Sequence, residues 1–375
     1  MTARWEVRLL AVVVAVLCVV GLASVYGASS LQPSPGGQVG SAFALRQAFG
    51  VVLGGLAASV LARLDYRWWR AAAWPFVAVT AVLLLIPLLP FTEAIAPVTN
   101  GARRWIQIGR VSVQPSELAK LAVVVWVAML AAKKGDQIRT FRRGLLPVLV
   151  VIGPLVLMIF VQPNLSMAIL TALGAGVVLF AAGARIGHFL LLGAIAVPLL
   201  YGAVANAQYR LARVVTFLNS GAAPEEALSQ VDQSLIGIGA GQVFGVGFGQ
   251  GQQKLGYLPY AYSDFIFSTI GEEWGFLGVV VLATLLGTLI WLGARIARSA
   301  PDPFGAFLAA GLTAMLGLAA LLHIGVNLAV VPATGIPLPF VSFGRSGLLV
   351  ALAATGILAS IGQARGRRAP PRDAA

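Results

Sequence analysis

Apolar residues in this chain fall into long uninterrupted blocks separated by short polar stretches. A spanning helix needs roughly 20 apolar residues. On that basis the blocks predict ten transmembrane helices, at 9–28, 43–62, 71–90, 116–132, 145–161, 165–183, 188–204, 265–293, 304–331 and 345–362. The first block, Leu9 to Ala28, is long enough to span and is followed by many like it, so it reads as a helix and not a signal peptide. Two polar intervals are long, 91–115 and 205–264. The expected fold is an all-α polytopic membrane protein, with one transmembrane domain over 1–375, a large loop between helices 7 and 8, and a basic tail at 363–375.

Composition supports that class. The chain is 59% hydrophobic with only 10% charged residues, and its mean hydropathy of +0.89 excludes an ordinary soluble domain. Charge then orients it. Seventeen of the 26 lysines and arginines fall at the N-terminus, in alternate loops and in the tail, so the positive-inside rule makes both termini cytoplasmic. The net charge of +13 implies a collar near anionic headgroups and does not imply nucleic acid. Nine basic residues break the rule: Arg46, Arg103, Arg104, Arg110, Lys120, Arg210, Arg213, Lys254 and Arg345. Snorkelling explains any one of them, but together they suggest an anionic ligand on the outer side.

Cys18 stands alone and only His188 and His323 are present, which removes disulfide frameworks, Cys/His zinc sites and histidine-based triads. The glycine-rich run 237–256 lacks the ending of a phosphate loop, and close backbone packing is its better reading. Asp264 sits where the polar loop meets an apolar helix, a costly place for a carboxylate without a partner or a task. On a regular helix Asp264, Ser268, Gly271 and Gly275 share a face, which turns Glu272 and Glu273 away to cap or pair elsewhere. Glu117 and Lys120 are three residues apart after Pro115, placed for an intrahelical pair or for a membrane cavity.

The segments "GARRWIQIG…QPSELAK", "YRLARVVTFLN", "QSLIGIGAGQVFGVGFGQGQQKLGYLP", "SDFIF" with "GEEWGFLG", and "GIPLPFVSFGRSG" resemble the SEDS family (shape, elongation, division and sporulation), and the glycine-rich segment is more similar to its division branch. The resemblance implies a ten-helix glycosyltransferase of the bacterial cytoplasmic membrane. Such an enzyme polymerises lipid II beside a class B penicillin-binding transpeptidase and other divisome or elongasome proteins. Matched position by position, Asp264 is the essential acid, Glu117 and Lys120 the cavity pair, and Arg103 and Arg104 the outer-loop arginines. Arg210, Lys254, Ser342, Arg345 and Ser346 complete the expected substrate-binding set. The family's usual "LPEAHTDF" is "LPYAYSDF" here, so Tyr260, Tyr262 and Ser263 are departures. Asn164, His323, Phe343 and Arg345 also replace usual residues.

The expected chemistry needs a base for the attacking sugar hydroxyl and positive charge for the departing pyrophosphate. Asp264 is the candidate base and the cations the candidate clamp, with a divalent ion, magnesium or manganese, as an expected helper on lone carboxylates. A lipid II flippase also suits ten helices with charge at membrane depth, although no repeated halves are visible. A scaffold for a transpeptidase would leave Asp264 unexplained.

The topology is testable. Cysteines introduced at Ser220 and Gln252 react in intact cells with an impermeant thiol reagent, whereas one at Asp136 does not; the reverse pattern would overturn the orientation.

Overall fold

The computed structural model describes residues 4–30, 41–99, 101–109, 111–218 and 230–364. Three helices open the chain: α1 (Arg4–Ser29), α2 (Ser41–Arg63) and α3 (Trp68–Leu85). A short antiparallel hairpin follows, β1 (Ile106–Ile108) and β2 (Val111–Val113), with Ile106 opposite Val113. Then come α4 (Pro115–Lys134), α5 (Leu146–Val161), α6 (Leu165–Ala181) and α7 (Ile186–Ala205). The predicted loop 205–264 carries two helices of its own, α8 (Gln208–Leu218) and α9 (Gln230–Ala240). The chain continues into α10 (Ile266–Arg298), α11 (Pro303–Asn327) and α12 (Arg345–Ala364). Ser220, Arg110 and the basic tail from 365 lie outside the described residues.

Among the described residues nine helices are long and apolar enough to cross a membrane, and the tenth predicted segment is α6, an apolar helix of 17 residues. Their exposed surface is itself apolar. On α2, Leu45, Phe49, Val52, Leu56 and Val60 are all exposed at helical spacing, as a lipid-facing stripe requires.

Helix α4 occupies the centre. It packs against α3, α6 and α11, and every residue from Ala119 to Ala131 is buried. Pro115 starts it at the first turn, after an extended Gln114. Polar side chains in that first turn are therefore carried into protein and away from lipid. By contrast α7 has no fully buried residue.

Helix α10 is 33 residues long, about 50 Å at about 1.5 Å per residue, well beyond an apolar core of about 30 Å. It is broken at Gly275, where φ is 68° and ψ −166°. The break frees backbone groups that cannot be left unpaired in a membrane. Segment 242–247 supplies their partners. Val246 N donates to Glu272 O (3.0 Å) and Gly247 N to Glu273 O (3.2 Å). In return Phe276 N donates to Gln242 O (2.8 Å) and Leu277 N to Val243 O (3.2 Å). The glycine-rich run is thus a backbone splice. The neighbouring side chains reinforce it: Glu272 Oε1 accepts from Gln252 N at 2.7 Å and Gln253 N at 3.3 Å, and Glu273 pairs with Lys254 at 3.6 Å.

The expected polar stripe of α10 has a packing role. Ser268 Oγ donates to Ser234 O of α9 at 2.7 Å, and a Cβ on Gly271 would come within 3.0 Å of Ile238. At the other end of α10, Arg295 bonds Glu6 Oε1 at 2.8 Å, and its guanidinium lies 5.1 Å from the ring centroids of both Trp5 and Trp291.

A Cβ at Gly275 would collide with Gly245 N and Val243 O, and its backbone angles are open only to glycine. Gly275→Ala therefore destabilises the purified protein by at least about 1–3 kcal/mol, read as a lowered unfolding midpoint. Gly287→Ala, in the same helix with open space around its Cβ, does not lower it.

Candidate functional site

Asp264 closes a tight turn in which Ser263 N and Asp264 N both donate to Tyr260 O at 3.0 Å, with Tyr260 at φ 58°. The turn leads directly into α10. Asn327, the last residue of α11 and fully buried, holds this junction. Its Nδ2 donates to Asp264 O (3.3 Å) and His323 O (2.8 Å), and its Oδ1 accepts from Ser268 N (3.0 Å), serving the first turn of α10 from another helix. The sequence reading passed over Asn327. An amide within an apolar span was the available signal.

The Asp264 carboxylate is partly buried and faces Gly335, where an added Cβ would lie 3.6 Å from Oδ2. Burial pushes the carboxyl group above the ordinary aspartate range. The Ser263 hydroxyl and the charges of Arg213 and Arg104 pull it down, but less strongly, so the net shift is upward. Arg213 reaches this place from α8, its Nη1 3.3 Å from Ala333 O.

Beside this turn lies a cavity of about 30 Å³, room for about one or two waters. Glu117, Lys120, Leu338, Phe340, Ser342 and Gly347 are among its walls. Glu117 and Lys120 form a 2.9 Å ion pair with both side chains buried. The segment from Gly335 to Ser342 separates the pair from Asp264, since Gly335 faces the acid and Pro337 to Ser342 line the cavity.

The two serines hold the site together. Ser342 Oγ donates to Ser263 O at 2.6 Å and accepts from Leu338 N at 2.8 Å. Ser346 Oγ donates to Ser112 O at 3.2 Å and accepts from Gln114 N at 3.1 Å. Each hydroxyl has one proton, and both protons are committed to backbone.

Arg103, Arg210 and Lys254 take local partners. Arg103 is turned into its own loop, with Nε 2.9 Å from Ala96 O and Nη2 2.9 Å from Thr92 Oγ1. Arg210 bonds Ala203 O at 3.0 Å and stacks over Phe160. Lys254 is buried with Glu273 and bonds the carbonyls of Gly27 and Gly249. Arg345 heads α12 with its Cγ near Gly50 of α2. The charges that act on Asp264 are those of Arg213 and Arg104. Among the described residues no three His, Cys, Asp or Glu side chains cluster as metal ligands.

Comparison with known proteins extends this picture to the whole chain. The chain is 38% identical over 358 residues to a protein of Geobacter sulfurreducens named probable peptidoglycan glycosyltransferase FtsW, covering 96% of this chain and 95% of the relative. It is 37% identical over 353 residues to stage V sporulation protein E of Bacillus subtilis, covering 94% and 96%. Among solved structures, a chain from work on "structural coordination of polymerization and crosslinking by a peptidoglycan synthase complex" superposes with a TM-score of 0.77 at 30% identity, covering 96% and 98%. The rod shape determining protein RodA of Thermus thermophilus superposes with a TM-score of 0.69 at 28% identity, covering 95% and 96%. Residues 7–366 match the FtsW, RodA and SpoVE family model, described as cell cycle protein, and the chain belongs to that family.

Proposed function

We infer that this multi-pass membrane protein is a peptidoglycan glycosyltransferase that polymerises lipid II. The observation that carries the reading is Asp264, held at the head of a broken membrane helix with Arg213 and Arg104 acting on its carboxylate, with the buried Glu117–Lys120 pair across the 335–342 segment. Relatives named for that activity support it.

In the proposed reaction Asp264 accepts the proton of the acceptor sugar hydroxyl. The freed oxygen attacks the anomeric carbon of the donor from the face opposite its pyrophosphate. The new glycosidic bond forms as the bond to pyrophosphate breaks, and lipid pyrophosphate leaves with the electron pair, so the anomeric centre inverts. No acid is needed, because the leaving group departs as a stable anion. Arg213 and Arg104 supply the positive charge that receives it. Glu117 fixes the Lys120 ammonium at the cavity wall, behind the segment that faces Asp264. A carboxylate whose proton affinity burial raises above the usual aspartate range suits proton abstraction.

A divalent ion carried in with the substrate would find the Asp264 carboxylate as a ligand and would supply further charge neutralisation. The active face is the outer face of the bacterial cytoplasmic membrane, with both termini cytoplasmic, in keeping with the distribution of basic residues. A class B penicillin-binding transpeptidase is the proposed partner, within a divisome or an elongasome, and the solved synthase complex supports that pairing.

Purified protein given fluorescent lipid II produces glycan ladders; lipid scrambling without ladders would decide for a flippase. Asp264→Asn keeps the size and removes the base, so polymerisation falls by about 10² to 10⁴, and a rate within about threefold of the parent would overturn the assignment.

The pH profile tests the cation. The Arg213 charge lowers the Asp264 pKa, so its removal raises it and leaves less ionised base at a given pH. Arg213→Gln therefore moves the acidic limb of the polymerisation profile to higher pH, while Arg213→Lys leaves it near its original place. An unmoved limb in Arg213→Gln would exclude the contact.

A further inference from the structure

The last turn of α11 reaches both sides of the acid. Asn327 holds the near side, with Nδ2 3.3 Å from Asp264 O. His323, one turn earlier on the same face, reaches the far side: its Nδ1 lies 2.8 Å from Ile336 O. Ile336 follows Gly335, the residue that faces the carboxylate, where an added Cβ would lie 3.6 Å from Asp264 Oδ2. The two α11 residues are themselves joined, since Asn327 Nδ2 also donates to His323 O at 2.8 Å. One helical turn therefore connects the acid with the wall opposite it.

A carbonyl oxygen only accepts, so Nδ1 carries the hydrogen of the bond to Ile336. The other ring nitrogen, Nε2, is buried and has no partner among the described residues. Packing does not account for such a residue. A leucine would fill the place without burying an unpaired nitrogen, and burial of that kind is unfavourable. What histidine adds is the donor at Nδ1. Ser342 secures the same segment two residues further on, at Leu338 N.

We propose that His323 is a positioning residue for the base, whose Nδ1–H holds Ile336 O and so keeps Gly335 against the Asp264 carboxylate. The inference rests on the reaction assigned to Asp264. It adds that the surroundings of the base are set from α11, by a side chain whose hydrogen bond goes to backbone and not to the acid. Without that donor Ile336 O is left unpaired, and the segment relaxes toward water. Water beside Asp264 removes part of the burial that raises its pKa, while the cations acting on it, Arg213 of α8 and Arg104 of the outer loop, stay in place. Tyr262, which also interacts with the acid, is neutral at the pH of the assay, its own pKa raised by burial. The carboxylate is then ionised at lower pH.

The test uses the full-length protein in nanodiscs with fluorescent lipid II. In His323→Leu, kcat/KM at neutral pH falls about 10- to 100-fold, the order of cost of misplacing reacting groups by about 1 Å. The acidic limb of its pH profile moves to lower pH, opposite to the movement in Arg213→Gln. His323→Asn, whose amide nitrogen takes the position of Nδ1, restores both. Mere loss of folded protein lowers the rate at every pH alike and leaves the limb in place. A second measurement keeps His323 intact. His188, in the first turn of α7, is the one other histidine, so His188→Gln grown with isotope-labelled histidine reports a single imidazole. Its nitrogen spectrum shows hydrogen on Nδ1 and none on Nε2. An unmoved limb in His323→Leu, failure of asparagine to restore the rate, or hydrogen on Nε2 in place of Nδ1 would each overturn the proposal. A parent protein that makes no glycan would overturn the glycosyltransferase reading, and this inference with it, whereas any of those outcomes beside an active parent sinks this inference alone.

Discussion

A polypeptide inside a membrane must satisfy its own backbone, and the interruption of α10 at Gly275 is where this structure meets that demand most visibly. The reciprocal hydrogen bonds between 242–247 and 272–277 make the glycine-rich segment part of the helix it repairs. Glycine at 245 and 275 is required there because the two backbones approach too closely for side chains and adopt positive φ, and at 247 because φ is 107°. Once the splice is fixed, Glu272 ties down the amides of Gln252 and Gln253, and Lys254 is carried inward to Glu273. The chain leading to Asp264 thus leaves from an anchored base.

The acid itself is placed by neutral groups. Asn327 joins α11 to the backbone of Asp264 and to a free amide in the first turn of α10, and Ser342 joins the turn before Asp264 to the segment lining the cavity. Charged residues would have been costlier in this position, since buried ions need full compensation and amides or hydroxyls need only hydrogen bonds. The charges that bear on the carboxylate are those of Arg213 and Arg104, which pull its pKa down against burial.

Much of the fold was legible in the sequence. Each of the ten apolar blocks coincides with a helix, because runs of that length have few alternatives in a membrane. The reading of Glu272 and Glu273 as partners of a neighbouring element matches the observed bonds for the same reason that a helical wheel works: both lie in the regular half-helix before the break. The β1–β2 hairpin and the break at Gly275 were not legible, since each depends on which distant backbone lies alongside. In the site, Asp264 and the Glu117–Lys120 pair stood out as ions at membrane depth, but the division of labour among the cations did not. Arg210 and Arg213 share one short helix; only the way α8 docks turns Arg213 toward Asp264 and Arg210 onto Phe160. Lys254 and Glu273 are far enough apart in the chain that their pairing follows from the splice and not from local spacing.

The Ser342 hydroxyl has a thermodynamic consequence. It accepts from the segment that walls the cavity and donates to the carbonyl of Ser263, immediately before Asp264, so the acid and the cavity share one rigid connection. Displacement on either side is transmitted to the other through two short hydrogen bonds. The free energies of perturbing the two halves are therefore not independent quantities, and their sum differs from the cost of perturbing both together. Occupancy of the cavity and alignment of the acid become linked variables of a single two-part device.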